Sequence, residues 1–279
     1  MTGRFNAMGC PCEILLDTAD PSLAARQMDI AINEARRIEK KYSRYLRGSV
    51  LDQINQSRGK TEVDEETAAL LDYAARCYEL SDGLFDITTG VLRKLWRFEG
   101  GEKAIPSAAS LASIGSRIGW DKVSWKRPFI ELPSGFEIDL GGICKEYAAD
   151  RILGLLTKRG DISVLVNLGG DIAAAGSRLW SVGIEDPAHP EKMARTLSLR
   201  QGGLATSGTT KRFVRAGGEI LSHILNPKTG APVRRPARSV TVAAKTCTEA
   251  GFWSTLGVLQ GLRAEAFLEE QRLEFWCYR

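Results

Sequence analysis

The sequence predicts an α+β fold of mixed sheets with flanking helices, and three observations carry the prediction. One long segment, 22–45, repeats its apolar residues with helical period. Several short apolar runs bounded by turn residues, such as ISVLVNL at 162–168 and SVTVAA at 239–244, read as strands. The two kinds of segment mix without the strict alternation of β-α-β units. No Pro- or Ser-rich linker interrupts the chain, so residues 1–279 read as one domain.

In the first helix Ala24, Met28, Ala31, Ala35, Ile38, Tyr42 and Tyr45 fall on one face at steps of four and three. Pro21 and Ser22 suit its start. Tyr45 stands at its end, where a ring can leave the core and meet a ligand. A second helix is expected over 65–80, with Leu70, Tyr73, Cys77 and Leu80 on one side and Ser81-Asp82-Gly83 as its stop. A further helix is expected near 90–97, a loop over 100–110, and strands at 128–132 and 136–140. The helix opening at 144 turns Ala148, Ile152 and Leu155 inward. The run 162–168 suits a strand covered on both faces. Strands at 180–184, 196–200, 203–207 and 239–244 and helices at 249–260 and 263–270 complete the pattern.

Composition narrows the function. Hydrophobic residues are 43% and charged residues 26% of the chain, the profile of an ordinary globular protein. A net charge of +4 with no long Lys/Arg block gives no ground for nucleic-acid binding. No apolar run reaches the roughly 18–20 residues that span a bilayer. The start, MTGRFNAMGCPCEI, lacks a basic stretch followed by an apolar one, so the expectation is a cytoplasmic protein. Six cysteines are scattered, and Cys10-Pro11-Cys12 has no partner pair at zinc spacing. Reduced, mostly buried thiols are expected.

Two turns stand out. In IDLGGICKEYAAD, 138–150, Asp139 precedes Gly141 and Gly142, and a helix opens with Lys145 in its first turn. Glycine lets backbone come close to a bulky anion, and a helix start offers unpaired N–H groups. The spacing matches neither G-x-x-x-x-G-K-[ST] nor G-x-G-x-x-G. From spacing alone it fits a phosphate site and a tight packing turn equally well. VNLGGDIA, 166–173, makes the same turn before Asp171, and there a capped strand end is the competing reading. Ala205-Thr206-Ser207-Gly208-Thr209 is a third small-residue turn with hydroxyls. Of the two histidines, His189 sits in a loop, DPAHPE, and His223 in ILSHILNPKTG. A histidine between apolar residues is most often a satisfied core residue, yet His223 is also the one plausible histidine base.

Taken in order, AMGCPCEI, SRY…LDQIN, GLFDITTG, IDLGGICKEYAAD, VNLGGDIA, WSVGIEDP, GLATSGTTKRF, HILNPKTG and SVTVAAKTCTEAGFWSTLGVLQG resemble the ApbE family of FAD:protein FMN transferases nearly end to end. The resemblance implies an α+β fold with a dinucleotide-binding cleft for FAD and a Mg2+ ion on its diphosphate. It implies transfer of FMN to a Thr or Ser hydroxyl of an acceptor flavoprotein domain, with release of AMP. By motif position Met8, Tyr45, Leu84, Phe85, Asp86, Asp139, Lys145, Asp171 and Thr206 are expected to contact FAD or line its cleft. Gly142, by its backbone oxygen, and Thr255 are expected at the metal, and His223 is expected to assist the attacking hydroxyl.

Three positions depart from the family pattern. Gly251 stands where A-D-x-x-x-T would place a metal-binding aspartate, Asn226 replaces an aspartate, and Glu146 follows Lys145 in place of glycine. Magnesium is commonly held by one or two carboxylates plus phosphates, so the loss at Gly251 matters. Glu249 lies roughly 200° around the helix from position 251 and reaches the same face only if the helix starts later or bends. Restoring aspartate at 251 is expected to raise magnesium-dependent activity if that carboxylate is limiting. Two other readings follow: an FAD-binding protein with impaired transfer, and an FAD pyrophosphatase in which water replaces the acceptor.

Overall fold

The computed structural model describes residues 1–98, 104–158, 162–210, 213–216 and 219–279. The chain opens with strands β1 (Thr2–Ala7) and β2 (Cys10–Leu16), then helix α1 (Pro21–Tyr42), α2 (Val50–Gln56), β3 (Thr61–Glu62) and α3 (Glu65–Leu80). A 3-10 segment, Ile87–Lys94, leads to α4 (Ala108–Gly115), β4 (Ser124–Lys126), β5 (Phe129–Glu131) and α5 (Cys144–Thr157). Strands β6 (Val164–Leu168), β7 (Asp171–Ala175), β8 (Trp180–Glu185), β9 (Met193–Leu199) and β10 (Gly202–Gly208) follow. Short strands β11 (Phe213–Ala216), β12 (Glu219–Ser222), β13 (Leu225–Asn226) and β14 (Ala231–Pro232) precede β15 (Ser239–Ala244), α6 (Cys247–Leu259), α7 (Ala264–Glu270) and β16 (Glu274–Tyr278).

Seven strands form the main sheet in the order β1-β2-β6-β7-β10-β15-β16. Each neighbouring pair is antiparallel. Side chains alternate across it. Val164, Val166 and Leu168 of β6 join Ile14, Ala173 and Ala205 in the large core with Ala35 and Ile38 of α1, Ala148 and Ile152 of α5 and Leu256 of α6. Leu165, Ile172, Ala174 and Leu204 face the other way, where Trp180 and Val182 of β8 and Leu197 and Leu199 of β9 cover them. The run 162–168 is therefore covered on both faces, as its composition suggests, by helices on one side and the β8–β9 hairpin on the other.

Some expected elements differ. Residues 136–140 form no strand. Asn55 of α2 takes the place of a ladder partner at Ile138: its amide donates to the Ile138 carbonyl at 2.9 Å, and the Ile138 N–H donates to its Oδ1 at 2.8 Å. The helix near 90–97 is the 3-10 segment Ile87–Lys94. Of the loop expected over 100–110, residues 100–103 lie outside the described residues, and Ser107 caps α4 within the rest. Helix α1 stops at Tyr42 because Ser43 turns extended at ψ 122°. Tyr45 thus leaves the helix stripe and is 73% exposed. All six cysteines are free thiols, and four are buried.

A carboxylate ties three helices together on the sheet. Glu66 of α3 accepts from Arg37 of α1 at 2.6 Å, Lys41 of α1 at 2.6 Å and Tyr147 of α5 at 2.8 Å. The Arg37 bond first, helped by Lys41 and Tyr147 against partial burial, pulls its pKa from 4.5 down to about 2. The lowered value makes its contribution full above pH 4.5 and lost as pH falls toward 2. Glu66→Gln is expected to cost about 1 kcal/mol at neutral pH, because the network is partly solvated. Urea melts of both proteins at neutral pH and in acid check it, the difference narrowing in acid.

Candidate functional site

The two Leu-Gly-Gly turns are linked by an ion pair between residues that follow them, Lys145 and Asp171. Gly169 and Gly170, with φ of 69° and 103°, join β6 to β7 in a two-residue hairpin turn. Such a turn needs positive φ at both positions, which glycine supplies without strain. In the other turn Gly141 and Gly142 are exposed and run into α5, whose first residue follows Ile143 with no side-chain cap. The Ile143 and Cys144 N–H groups both donate to the Leu140 carbonyl at 2.9 Å as the helix begins. Helix α5 packs along β6 and β7, which brings Lys145 into an ion pair with Asp171.

Asp171 is 3% exposed and also accepts the backbone N–H of Thr206 on β10. Burial pushes its carboxyl up while Lys145 pulls it down. Burial disfavours the Lys145 charge, but Asp171 and Glu146 override it and hold the ammonium above its usual value. Lys145 stays a cation at the junction of the two turns.

Strand β10 and helix α6 form the adjoining wall. A Cβ at Gly203 would lie 2.1 Å from the Cys247 nitrogen, so only glycine lets α6 lie this close to β10. Thr246 caps α6, and Asp150 of α5 holds its first turn by accepting from the Cys247 and Thr248 amides at 2.9 and 2.8 Å. Ser207 Oγ lies 2.9 Å from both Ser254 Oγ and Thr255 Oγ1. The Thr206 hydroxyl pairs with Thr241 at 2.8 Å, leaving its N–H as the link to Asp171.

Glu146 and Gly251, two of the departures from the family pattern, are in contact. A Cβ at Gly251 would meet the Glu146 side chain at 2.5 Å from Cγ and 2.9 Å from Oε1. Glu146 is 6% exposed, and its Oε2 has no hydrogen-bond partner. Burial first, and Asp171 second, raise its pKa to about 7. Aspartate at 251 would have to displace Glu146 from the space it occupies. Helix α6 begins at Cys247, so the later start that would bring Glu249 onto this face does not occur. Among the described residues no three His, Cys, Asp or Glu side chains gather as a metal cluster. The donors here are a lone buried carboxylate, hydroxyls and exposed glycine backbone, an all-oxygen set that suits magnesium sharing its shell with phosphates.

Asp139 lies on the rim. Its Oδ1 accepts from the Gly141 N–H at 3.0 Å and its Oδ2 pairs with Arg44 at 2.6 Å. Arg44 also donates to the Tyr45 hydroxyl at 2.9 Å and stacks 5.0 Å from its ring centre. The sequence reading missed Arg44; its place in SRY, beside Tyr45, is the one signal that was available. Phe85 lies 3.5 Å from where a Cβ on Gly142 would be and meets Phe252 of α6 edge-on at 5.5 Å. Leu84 packs half-buried beside the core. Asp86 is engaged within the fold, accepting from the Thr88 amide and hydroxyl at 2.8 and 2.7 Å and the Trp120 amide at 3.3 Å.

Met8 takes a positive φ of 54° between β1 and β2, and its N–H donates to Glu39 of α1 at 2.8 Å. Beside it lies a recess of about 340 Å³ lined by Asn6, Ala7, Gly9, Cys10, Pro11 and Glu39. Cys10 adjoins the second turn, its Sγ 2.9 Å from where a Cβ on Gly169 would stand. His223 is positioned by a different element, the link between β12 and β13, with its ring edge-on to Phe98 at 6.4 Å. Asn226 shapes the turn after it, its Oδ1 accepting from the Lys228 amide and its carbonyl from the Gly230 amide, both at 2.8 Å. The turn uses an acceptor that aspartate and asparagine share, which accounts for asparagine there.

Known proteins give the same picture. A profile of the ApbE family matches residues 8–277. A Klebsiella pneumoniae protein named FAD:protein FMN transferase is 29% identical over 92% of this chain and 81% of its own length. One of the same name from Salmonella typhimurium is 30% identical over 83% of this chain and 70% of its own. The crystal structure of an ApbE protein from Thermotoga maritima superimposes with a TM-score of 0.90 at 29% identity, covering 99% of this chain and 93% of that one. The Pseudomonas stutzeri flavinyl transferase ApbE shares the fold with a TM-score of 0.87 at 23% identity, over 99% and 90% of the two chains. With a family profile matching nearly the whole chain, this chain belongs to the ApbE family.

Proposed function

We propose that residues 1–279 act as one FAD:protein FMN transferase unit. The observation that carries the reading is the joining of the two glycine turns through Lys145 and Asp171, which sets a fixed cation beside the exposed backbone of Gly141 and Gly142. That combination suits a pyrophosphate link. The names of the relatives supply the reaction class.

In this reading Lys145 and the start of α5 take the diphosphate. Asp139, held by Arg44, meets a ring N–H or sugar hydroxyl, and Tyr45, Met8 and Phe85 border the flavin and nucleotide. His223 assists the attack of an acceptor Thr or Ser hydroxyl on the FMN-side phosphorus, and AMP leaves. Thr255 and the Gly142 carbonyl are available to Mg2+, which when bound neutralises charge on the phosphates.

Mixing the protein with FAD, Mg2+ and a flavin-acceptor domain tests this, with products read by mass spectrometry. An acceptor heavier by FMN supports transfer. Free FMN with an unmodified acceptor makes the protein a pyrophosphatase, and intact FAD that stays bound makes it a binding protein.

A further inference from the structure

Helix α6 carries a glycine in its middle, with Gly251 inside Cys247–Leu259. Glycine there costs about 1 kcal/mol against alanine, so a packing reason is required. The reason is Glu146, whose Cγ stands 2.5 Å from where even a methyl group would be. The helix gives up a side chain to admit a carboxylate from α5. That carboxylate is 94% removed from solvent, since the residue is 6% exposed, and its Oε2 meets no donor. A buried acceptor without a partner is costly and calls for an explanation.

The surroundings define what could satisfy it. Positions 251 and 255 are four apart on α6 and share a face, so the carboxylate packed on Gly251 meets the same face of the helix that carries Thr255. Ser207 and Ser254 add hydroxyls beside Thr255. Lys145 is turned to Asp171 and gives the Glu146 Oε2 no hydrogen bond. What remains is an oxygen-lined position with one buried carboxyl whose Oε2 has no hydrogen-bond partner, four residues from the exposed Gly142 of the α5 turn.

We propose that Glu146 is the carboxylate ligand of a divalent cation held between α5 and α6, reaching the ion from α5 across the gap left by Gly251. The proposal rests on the transferase reading only for the ion's purpose; the site itself is a property of the two helices. Gly251 is a requirement of the site and not a lesion in it. The same packing makes aspartate at 251 harmful while Glu146 is present, since two carboxylates would compete for one space.

Mn2+ serves as the probe, its binding followed by electron paramagnetic resonance with and without FAD, alongside FAD affinity in EDTA. Glu146→Gln is expected to weaken Mn2+ by at least about 10–100-fold, the loss that removing even an outer partner of a ligand brings. FAD affinity in EDTA stays unchanged. Gly251→Asp alone is expected to lower the melting temperature and not to tighten Mn2+. The double variant Glu146→Gly/Gly251→Asp moves the carboxylate to α6 and is expected to return Mn2+ affinity to within about threefold of wild type, a non-additive rescue that marks two residues sharing one space. Equal Mn2+ affinity for wild type and Glu146→Gln, or no Mn2+ bound by wild type in either arm, overturns the proposal. Failure to hold FAD overturns the transferase reading alone, because the Mn2+ arm without FAD still reports on Glu146.

Discussion

Lys145→Met is expected to destabilise the protein by about 2–4 kcal/mol at neutral pH, since removing one partner of a buried ion pair leaves the other charge without compensation. Asp171 keeps 5% of its side-chain surface exposed and Lys145 32%, so the loss falls short of a fully enclosed pair. The sign against pH is definite. Without the lysine, burial leaves Asp171 with a folded pKa raised above its unfolded value. A raised pKa works against the folded state as pH climbs through it, so the deficit is larger near pH 8 than near pH 5. Adding Asp171→Asn removes the stranded charge and is expected to recover most of the loss at neutral pH. Urea melts of the three proteins at both pH values check this; a deficit that ignores pH would mean that Lys145 contributes packing alone.

His223→Ala is expected to slow FMN transfer by about 10²–10⁴-fold, the range for losing a positioned general base. FAD affinity should hold to within about threefold, because an interaction made only in the transition state leaves ground-state binding alone. His223 stands on the link between β12 and β13 with its ring edge-on to Phe98, apart in sequence from the two glycine turns. Single-turnover rates and FAD titration measure the two quantities. Equal losses in both would make His223 a binding or structural residue.

Much of the fold was legible. The α1 stripe, the β6 run and the LGG turns declare themselves because period, turn chemistry and apolar length are local properties. Errors fall where a distant residue sets the backbone. Ile138 lies in no sheet because Asn55 takes its hydrogen bonds. Strands β1, β2 and β16 pass unnoticed near the chain ends; β1 and β16 are the two outermost strands of the sheet and need pack on fewer neighbours. Asp86, read as a cleft residue, also caps the 3-10 segment through the Thr88 amide and accepts from the Trp120 amide 34 residues away, a contact that no local pattern announces.

The sequence by itself determined the family, the two Leu-Gly-Gly turns and the presence of a cation beside one of them, since each is written in contiguous residues. Tertiary structure alone decided that the turns share one junction, through Lys145 and Asp171, and that Glu146 stands in the space Gly251 leaves. Those pairings join residues 26 and 105 positions apart (171 − 145; 251 − 146), and no local pattern encodes which helix faces which strand. Packing of α5 and α6 on one sheet makes an apparent deletion and an apparent intrusion into a single contact.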